Sequence, residues 1–168
     1  MIIDFRPLAE PDLPLLADWL GRPHVRQWWA GDQPLTLTEV RAKYLPRIDD
    51  TSAVRCFIAL ASGEPIGFIQ SYVAMACGDG WWPDETDLGV RGIDQFLADG
   101  QCLGRGLGTA MVKAFIERLF ADPRVTRIQT DPDPSNSRAI RCYEKAGFRR
   151  IGEVITPDGP ALLMSVTR

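Results

Sequence analysis

The sequence is poor in the residues that build metal centres and disulfide frameworks. It contains one histidine, His24, and four scattered cysteines at positions 56, 77, 102 and 142, with no C-x-x-C pair. Zinc sites require clustered cysteine and histidine ligands, so we expect no metal. The scattered cysteines also give no disulfide framework, and we expect reduced thiols in a cytoplasmic protein.

Long apolar runs and an excess of basic residues are missing as well. No apolar stretch approaches the roughly 20 residues of a membrane span, and the first residues lack a basic segment followed by an apolar one. We therefore expect no signal peptide and no membrane partner. A net charge of −3 argues against nucleic acid as a partner. The 168 residues, 45% of them apolar, are typical of one globular domain spanning 1–168.

The order of the predicted elements indicates a mixed sheet. Strand patterns cover residues 2–6, 55–61, 65–76, 90–97, 126–130, 148–155 and 161–167, and helix patterns cover 11–20, 38–45, 108–120 and 136–146. A hairpin is expected at Ser62 and Gly63, and a turn at 157–159. Because helices interrupt more numerous strands, we predict an α/β (α+β) fold.

A glycine-rich loop precedes the long helix. In Gln101-Cys-Leu-Gly104-Arg-Gly106-Leu-Gly108-Thr109 a glycine stands at every second position. Backbone N–H groups and a helix N-terminus converge there, which predicts a phosphate or pyrophosphate site. The loop has neither the lysine of a P-loop nor the G-x-G-x-x-G spacing of a dinucleotide fingerprint. It resembles instead the Q/R-x-x-G-x-G/A loop with which GNAT acyltransferases bind the pyrophosphate of acetyl-coenzyme A.

A second motif, Asn136-Ser-Arg-Ala-Ile-Arg-Cys-Tyr143-Glu-Lys-Ala-Gly147-Phe148, supports the same resemblance. Asn136 or Ser135 can cap a helix, and Gly147 suits the left-handed position after its end. The motif is similar to the GNAT helix that carries a tyrosine and ends in Gly-Phe. The resemblance implies the GNAT fold, a central mixed and mostly antiparallel twisted sheet, splayed in its middle and flanked by helices, with acetyl-CoA as cosubstrate.

The segment from Asp79 to Asp94 is the third informative region. It contains five carboxylates, one basic residue and the adjacent Trp81 and Trp82. Carboxylates pair with ammonium groups and indole faces accept cations, so this composition suits a hydrophilic cation. Because an acyl acceptor must be a nucleophile, the pattern favours an amine acceptor such as a polyamine.

Further motifs narrow the resemblance to the aminoglycoside 6'-N-acetyltransferases. They preserve their order over nearly the whole chain: Tyr44-Leu-Pro, Gly63-Glu-Pro-Ile-Gly, Gln70-Ser-Tyr, Asp79-Gly-Trp-Trp, Gly92-Ile-Asp-Gln, Gln129-Thr-Asp-Pro and Thr156-Pro-Asp-Gly-Pro. The chain departs from the family near Ser52, where members carry an acidic residue that Asp49 or Asp50 could replace.

The resemblance implies a role for each matching position. Asp94 is the expected catalytic carboxylate, the Leu97 N–H the expected oxyanion donor, and Tyr143 the expected partner of the departing thiolate. The expected cofactor contacts are Gln95, Phe96, Leu97, Gln101, Cys102, Leu103, Gly104, Arg105, Gly106, Leu107, Gly108, Thr109, Asn136 and Tyr143. The expected substrate contacts are Trp28, Gln70, Asp79, Trp82, Asp94, Asp131 and Asp158.

Two other readings stay open at this point. A GNAT enzyme could acetylate a different amine, such as a siderophore lysine precursor, a polyamine or a protein N-terminus. A non-catalytic acyl-CoA sensor could keep the loop and dispense with Asp94 and Tyr143. For an enzyme we expect direct transfer in a ternary complex, since no cysteine stands beside a plausible base. The expected partner is a small-molecule aminoglycoside, with the protein a monomer or homodimer.

Overall fold

The sheet order agrees with the predicted fold class. A computed structural model describes residues 1–29 and 35–168, and these form seven strands and five α-helices. In chain order they are β1 (Ile3–Pro7), α1 (Leu13–Gly21), α2 (Pro23–Trp29), α3 (Leu37–Tyr44), β2 (Val54–Ala61), β3 (Glu64–Val73), β4 (Val90–Leu97), α4 (Leu107–Phe120), β5 (Arg127–Thr130), α5 (Ser137–Ala146), β6 (Arg149–Thr156) and β7 (Gly159–Thr167). The strand order is β1-β2-β3-β4-β5-β7-β6, with β4 and β5 parallel and β1–β2, β5–β7 and β6–β7 antiparallel.

Contacts divide the chain into two compact units. The first unit contains Met1–Gln70 and Gln95–Leu103, and the second contains Ser71–Asp94 and Gly104–Arg168. Strands β3 and β4 therefore contribute residues to both units. None of the helices in the described ranges is long and apolar enough to cross a bilayer.

The first unit is built on the buried face of α1 and on an aromatic cluster. Leu13, Leu16 and Leu20 recur at helical spacing and are almost completely buried. The Trp29 ring meets Phe68 and Phe96 edge-on, with centroids 5.7 and 5.0 Å apart. Such edge-to-face pairs add to the free energy of apolar burial. They attach the end of α2 to strands β3 and β4.

None of the predicted helices covers α2. It begins at Pro23, which suits the first turn of a helix because its missing N–H has no intrahelical partner there. Only Val25 of this seven-residue helix is fully buried. A helix of this length has no repeated apolar stripe, so packing of Trp29, rather than periodicity, defines it.

The second unit carries the two helices that the sequence motifs predict. Helix α4 buries Met111, Val112 and Phe115 and begins at Leu107, one residue before the predicted start. Helix α5 is capped by Asn136, whose side-chain oxygen accepts a hydrogen bond from the Ala139 N–H at 3.1 Å. Gly147 follows α5 in the left-handed region, so both predicted caps are confirmed.

Candidate active site

The glycine loop presents an open helix N-terminus. Gly104 and Gly106 have φ of +74° and +85°, and Gly106 immediately precedes α4. Helices α3 and α5 are capped by side chains, whereas no side chain in the described part of the chain caps α4. Nothing described lies within 4 Å of a Cβ placed at either glycine. The unfilled N–H groups and the open space beside them fit an approaching pyrophosphate.

Other predicted cofactor contacts surround this loop in sequence. In the first unit Gln101 lies in a short turn, where Asp99 accepts a hydrogen bond from its N–H at 2.8 Å. In the second unit the Thr109 hydroxyl donates to the Cys142 sulfur at 3.7 Å. The Asn136 oxygen is used to cap α5. The remaining predicted contacts here are Cys102 and Leu103 of the first unit and Arg105, Leu107 and Gly108 of the second.

Two side chains hold the carboxyl end of β4 within the first unit. His24 donates from Nε2 to the Leu97 carbonyl at 2.9 Å, and Arg22 donates to the Ala98 carbonyl at 2.8 Å. Phe96 is buried in the aromatic cluster, whereas the buried Oε1 of Gln95 finds no hydrogen-bond donor among the described residues. The peptide groups around Leu97 are thus fixed by side chains from the start of α2.

Two of the predicted carboxylates lie side by side in the second unit. Gly92 of β4 pairs with Gln129 of β5 in the parallel register, and Asp94 and Asp131 stand two residues further along each chain segment. Side chains two residues apart share a face, so both carboxyl groups project from one face of the sheet. Burial, followed by the charges of Asp94 and Asp158, raises the pKa of Asp131 to about 8.

Tyr72 lies beside these carboxyl groups, although no role is expected for it from the sequence. A Cβ added to Gly92 would lie 1.9 Å from Tyr72 Cζ and 2.3 Å from its hydroxyl oxygen, so the phenol end sits directly over Gly92. Burial, then the charges of Asp94, Asp131 and Cys77, raise the pKa of Tyr72 far above its usual range. Tyr72 belongs to the Gln70-Ser-Tyr motif, but no local sequence rule indicates its approach to Gly92.

The loop between β3 and β4 brings Asp79 and Trp82 to the same unit. Both have left-handed backbones, with φ of +51° and +49°, and Asp79 lies between Gly78 and Gly80, which also have positive φ. A left-handed tryptophan is rare and requires support from its surroundings. The Cβ position of Gly80 lies 3.7 Å from Pro157, which directly precedes the exposed Asp158. Asp79 and Asp158 therefore occupy neighbouring exposed turns.

Not every carboxylate of this loop is available to a ligand. Glu85 pairs with Arg127 at 2.5 Å, and Asp87 accepts a hydrogen bond from the Thr126 hydroxyl at 2.6 Å. Asp87 also accepts from the Gly89 N–H. These two acids hold the loop against Arg127 and the residue before it. The prediction that the segment binds a cation therefore applies only to its remaining carboxylates.

Trp28 and Gln70 belong to the first unit, whereas the other predicted substrate contacts belong to the second. Trp28 is 39% exposed on α2. The Gln70 Oε1 accepts hydrogen bonds from Arg47 at 3.2 Å and from the Cys56 thiol at 3.7 Å. Both residues thus remain predicted contacts, one an exposed indole and one a buried amide.

The acids near Ser52 have partners of their own. Asp49 accepts hydrogen bonds from the N–H and hydroxyl of Thr51, and Asp50 pairs with Arg55. These contacts lower the pKa of Asp49 below its usual value, the backbone N–H of Thr51 contributing most. The contacts of both acids are local to the segment 49–55, and the suggestion that either replaces the family's acidic residue stays a prediction.

Tyr143 is buried on α5, 4% exposed, with its ring against Phe148 at a centroid distance of 5.3 Å. Burial raises its pKa well above the usual value, while a hydrogen bond with Thr130 acts in the opposite direction. The side chain therefore stays a neutral phenol, able to donate its proton. Within residues 1–29 and 35–168 no three histidine, cysteine or acidic side chains are grouped to hold a metal ion.

Comparisons with known proteins agree on the family. The model of the acetyltransferase (GNAT) domain matches residues 9–156. The aminoglycoside N(6')-acetyltransferase type 1 of Klebsiella pneumoniae is 56% identical over 99% of this chain and 83% of that protein. A solved AAC(6')-Ib structure with paromomycin and acetyl-CoA superposes with a TM-score of 0.96 at 56% identity, covering all of this chain and 94% of that chain. Another, with coenzyme A and kanamycin, gives 0.94 at 56% identity, covering 99% and 95%.

Proposed function

Because the chain belongs to the GNAT acetyltransferases, and among them to the aminoglycoside N(6')-acetyltransferases, we propose that it transfers the acetyl group of acetyl-CoA to the 6'-amino group of aminoglycosides. Acetylation removes the positive charge of that amine, and with it one ammonium contact of the drug. The enzyme would thereby confer antibiotic resistance.

One observation carries this proposal beyond the likeness to relatives. Asp94 on β4 and Asp131 just after β5 extend from neighbouring parallel strands, and the charge of Asp158 also acts on Asp131. Neighbouring carboxyl groups repel each other when they ionise, and a bound cation relieves that repulsion. A polyamine drug supplies several ammonium groups at once. Such a site suits it better than it suits a peptide, which carries fewer cations.

The residues around the glycine loop fit the cosubstrate. Acetyl-CoA, when bound, supplies a thioester that an amine can attack. The open N–H groups at Gly104, Gly106 and the start of α4 would hold its pyrophosphate. The glycines at these positions let the backbone approach the phosphates without an intervening side chain.

The chemistry requires a proton acceptor. An alkyl ammonium has a pKa near 10 and must lose a proton before it becomes a nucleophile. Asp94 takes up that proton, directly or through a water molecule. Its partner Asp131 contacts an ammonium group of the drug, whose positive charge favours the ionised carboxylate.

Two further groups serve the acyl transfer. The Leu97 N–H, three residues after Asp94 on β4, donates to the developing oxyanion. Its peptide environment is fixed by His24 and Arg22, as a preorganised donor requires. Tyr143 remains protonated and can donate to the thiolate that leaves. No side chain needs to carry the acetyl group, so attack occurs directly in a ternary complex.

Two broader statements accompany the proposal. We place the enzyme in the cytoplasm, where acetyl-CoA is made and where the drug meets its target. We propose that residues 1–168 act as one catalytic domain, in a monomer or a homodimer. Size-exclusion chromatography with light scattering at the assay concentration distinguishes these two assemblies.

Release of free thiol from acetyl-CoA tests the proposed function. The assay compares kanamycin, lysine and no acceptor at equal concentration. We expect rapid release with kanamycin and background release in the other two reactions. Equal rates with lysine and kanamycin would indicate a different amine acetyltransferase, and background release with all three would indicate a non-catalytic acyl-CoA-binding protein.

A further inference from the structure

The Tyr72 hydroxyl is buried, and it occupies space that a side chain at position 92 would otherwise fill. It is buried over Gly92, on the face of the second unit that also carries Asp94 and Asp131. Only a glycine beneath it allows this position, since a Cβ would overlap the phenol ring. The close approach places the phenol end over Gly92, two residues before Asp94 on the same strand.

Two other polar groups of this face point to the same place. Gln129, the partner of Gly92 in the register, is 3% exposed, and its Nε2 has no hydrogen-bond acceptor within the described ranges. The buried Trp82 Nε1–H likewise makes no hydrogen bond of normal geometry there, and it interacts with the Tyr72 hydroxyl. An indole N–H can only donate, so the Tyr72 oxygen is the acceptor in its interaction with Trp82. The Tyr72 hydroxyl proton is then available for donation to another group.

The charged neighbours determine where that proton is directed. The titratable groups that face the hydroxyl or the carboxyl groups beside it are Asp94 of β4, Asp131 after β5, Cys77 after β3, Asp158 of the β6–β7 turn and Tyr143 of α5. The carboxyl groups of Asp94 and Asp131 are the strongest acceptors among them. A hydrogen bond to an ionised carboxylate is about twice as strong as one between neutral groups.

We propose, resting on the acetyl transfer proposed above, that Tyr72 is a positioning residue: its hydroxyl donates into the Asp94–Asp131 pair and holds the pair ready to accept the proton of the substrate amine. Tyr72 itself stays a phenol throughout. The amine gives its proton to a carboxylate, and the acetyl group passes from sulfur to nitrogen, so no bond to Tyr72 forms or breaks. Gly92 is the structural requirement for this arrangement.

The variant Tyr72→Phe tests the proposal because it keeps the ring over Gly92 and removes only the hydroxyl. Losing a donor destabilises the ionised pair, so its apparent pKa rises. We expect the acidic limb of the kcat/KM profile to move upward by about one to two pH units, the shift that loss of one charge-assisted hydrogen bond produces. The substrate amine is the same in both profiles, so its own titration does not contribute to the difference.

Tyr44→Phe is the matched control. It removes another buried phenol hydroxyl, but from the core of the first unit. We expect it to leave the position of the acidic limb unchanged. The variant Gly92→Ala should displace the Tyr72 phenol and reproduce the shift. In the Tyr72→Phe background the same Gly92→Ala change should add no further shift of the limb.

A second measurement does not depend on turnover. Carbon-13 NMR of aspartate carboxyl carbons in the free enzyme reports the titration of the pair, and Tyr72→Phe should raise its apparent pKa. A folded Tyr72→Phe protein whose pH profile and NMR titration both overlay those of the wild type would overturn the proposal. Absence of acetyl transfer by the wild type would instead refute the proposed function, while the NMR titration would still decide the role of Tyr72.

Discussion

Burial of Asp131 predicts that this carboxyl group lowers the free energy of unfolding of the protein at neutral pH. The pKa of Asp131 is about 8 in the folded protein, against about 3.9 for an aspartate in an unfolded chain. Below the lower value both states hold the proton. As the pH rises, Asp131 loses its proton first in the unfolded chain. The free energy of unfolding therefore declines until the pH passes the pKa of Asp131 in the folded protein.

The variant Asp131→Asn removes this titration while preserving the shape of the side chain. Between pH 5 and 7 the wild type should lose about 1.4 kcal/mol per pH unit from this group, or roughly 3 kcal/mol in total. For a protein of this length that corresponds to roughly 6–12 °C in Tm. The difference in Tm between Asp131→Asn and the wild type should therefore grow by this amount in favour of the variant.

Thermal unfolding followed by circular dichroism at half-unit steps of pH measures this difference. Asp133→Asn is the control, because hydrogen bonds from Ser135 lower the pKa of Asp133 and its contribution changes only at more acidic pH. Its difference from the wild type should stay constant between pH 5 and 7. A similarly constant difference for Asp131→Asn would show that Asp131 is ionised in the folded protein and would refute the reasoning.

Three further predictions concern catalysis and binding. Asp94→Asn should reduce kcat by roughly 10²–10⁴-fold with acetyl-CoA binding intact, and higher pH should restore part of the rate; near-normal turnover at neutral pH would move proton transfer to another group. Gly106→Val should raise KM for acetyl-CoA far more than KM for the drug, because valine strains a backbone with φ of +85°; an unchanged cofactor KM in the folded variant would exclude this role. Asp79→Asn should weaken drug binding in calorimetry, and added salt should weaken wild-type binding, whereas salt-independent binding would contradict a charged site.

Local sequence rules were sufficient where the feature was local. The helix start at Asn136 and its end at Gly147 follow from capping preferences, and both are found. The glycine loop was predicted because left-handed positions and bare N–H groups leave a recognisable pattern, and Gly104 and Gly106 adopt them. The mixed sheet followed from the alternation of strand and helix patterns.

Features that depend on packing between distant residues could not be predicted from local sequence rules. Helix α2 is defined by its Trp29 contacts with Phe68 and Phe96, which lie far away in sequence. Tyr72 was missed because its importance comes from Gly92, twenty positions later, which leaves room for the phenol. Sequence spacing does not show such an approach between strands.

The acidic loop illustrates a third limit. Its composition predicted a cation site, but Glu85 and Asp87 are occupied by Arg127 and Thr126. A carboxylate that binds a substrate and one that anchors a loop look alike in a sequence. Only the position of the partner distinguishes them, and here the partners Arg127 and Thr126 lie about forty residues later in the chain.

The central claim, acetyl transfer to the 6'-amine, is tested most directly with two drugs that differ only at that position. Neomycin carries a 6'-amino group, and paromomycin carries a hydroxyl group there. Thiol release from acetyl-CoA is measured with each drug under the same conditions, and the product is examined by mass spectrometry. We predict rapid release and one added acetyl group with neomycin, and background release with paromomycin. Equal acetylation of paromomycin would place the reaction on another amine and contradict the account.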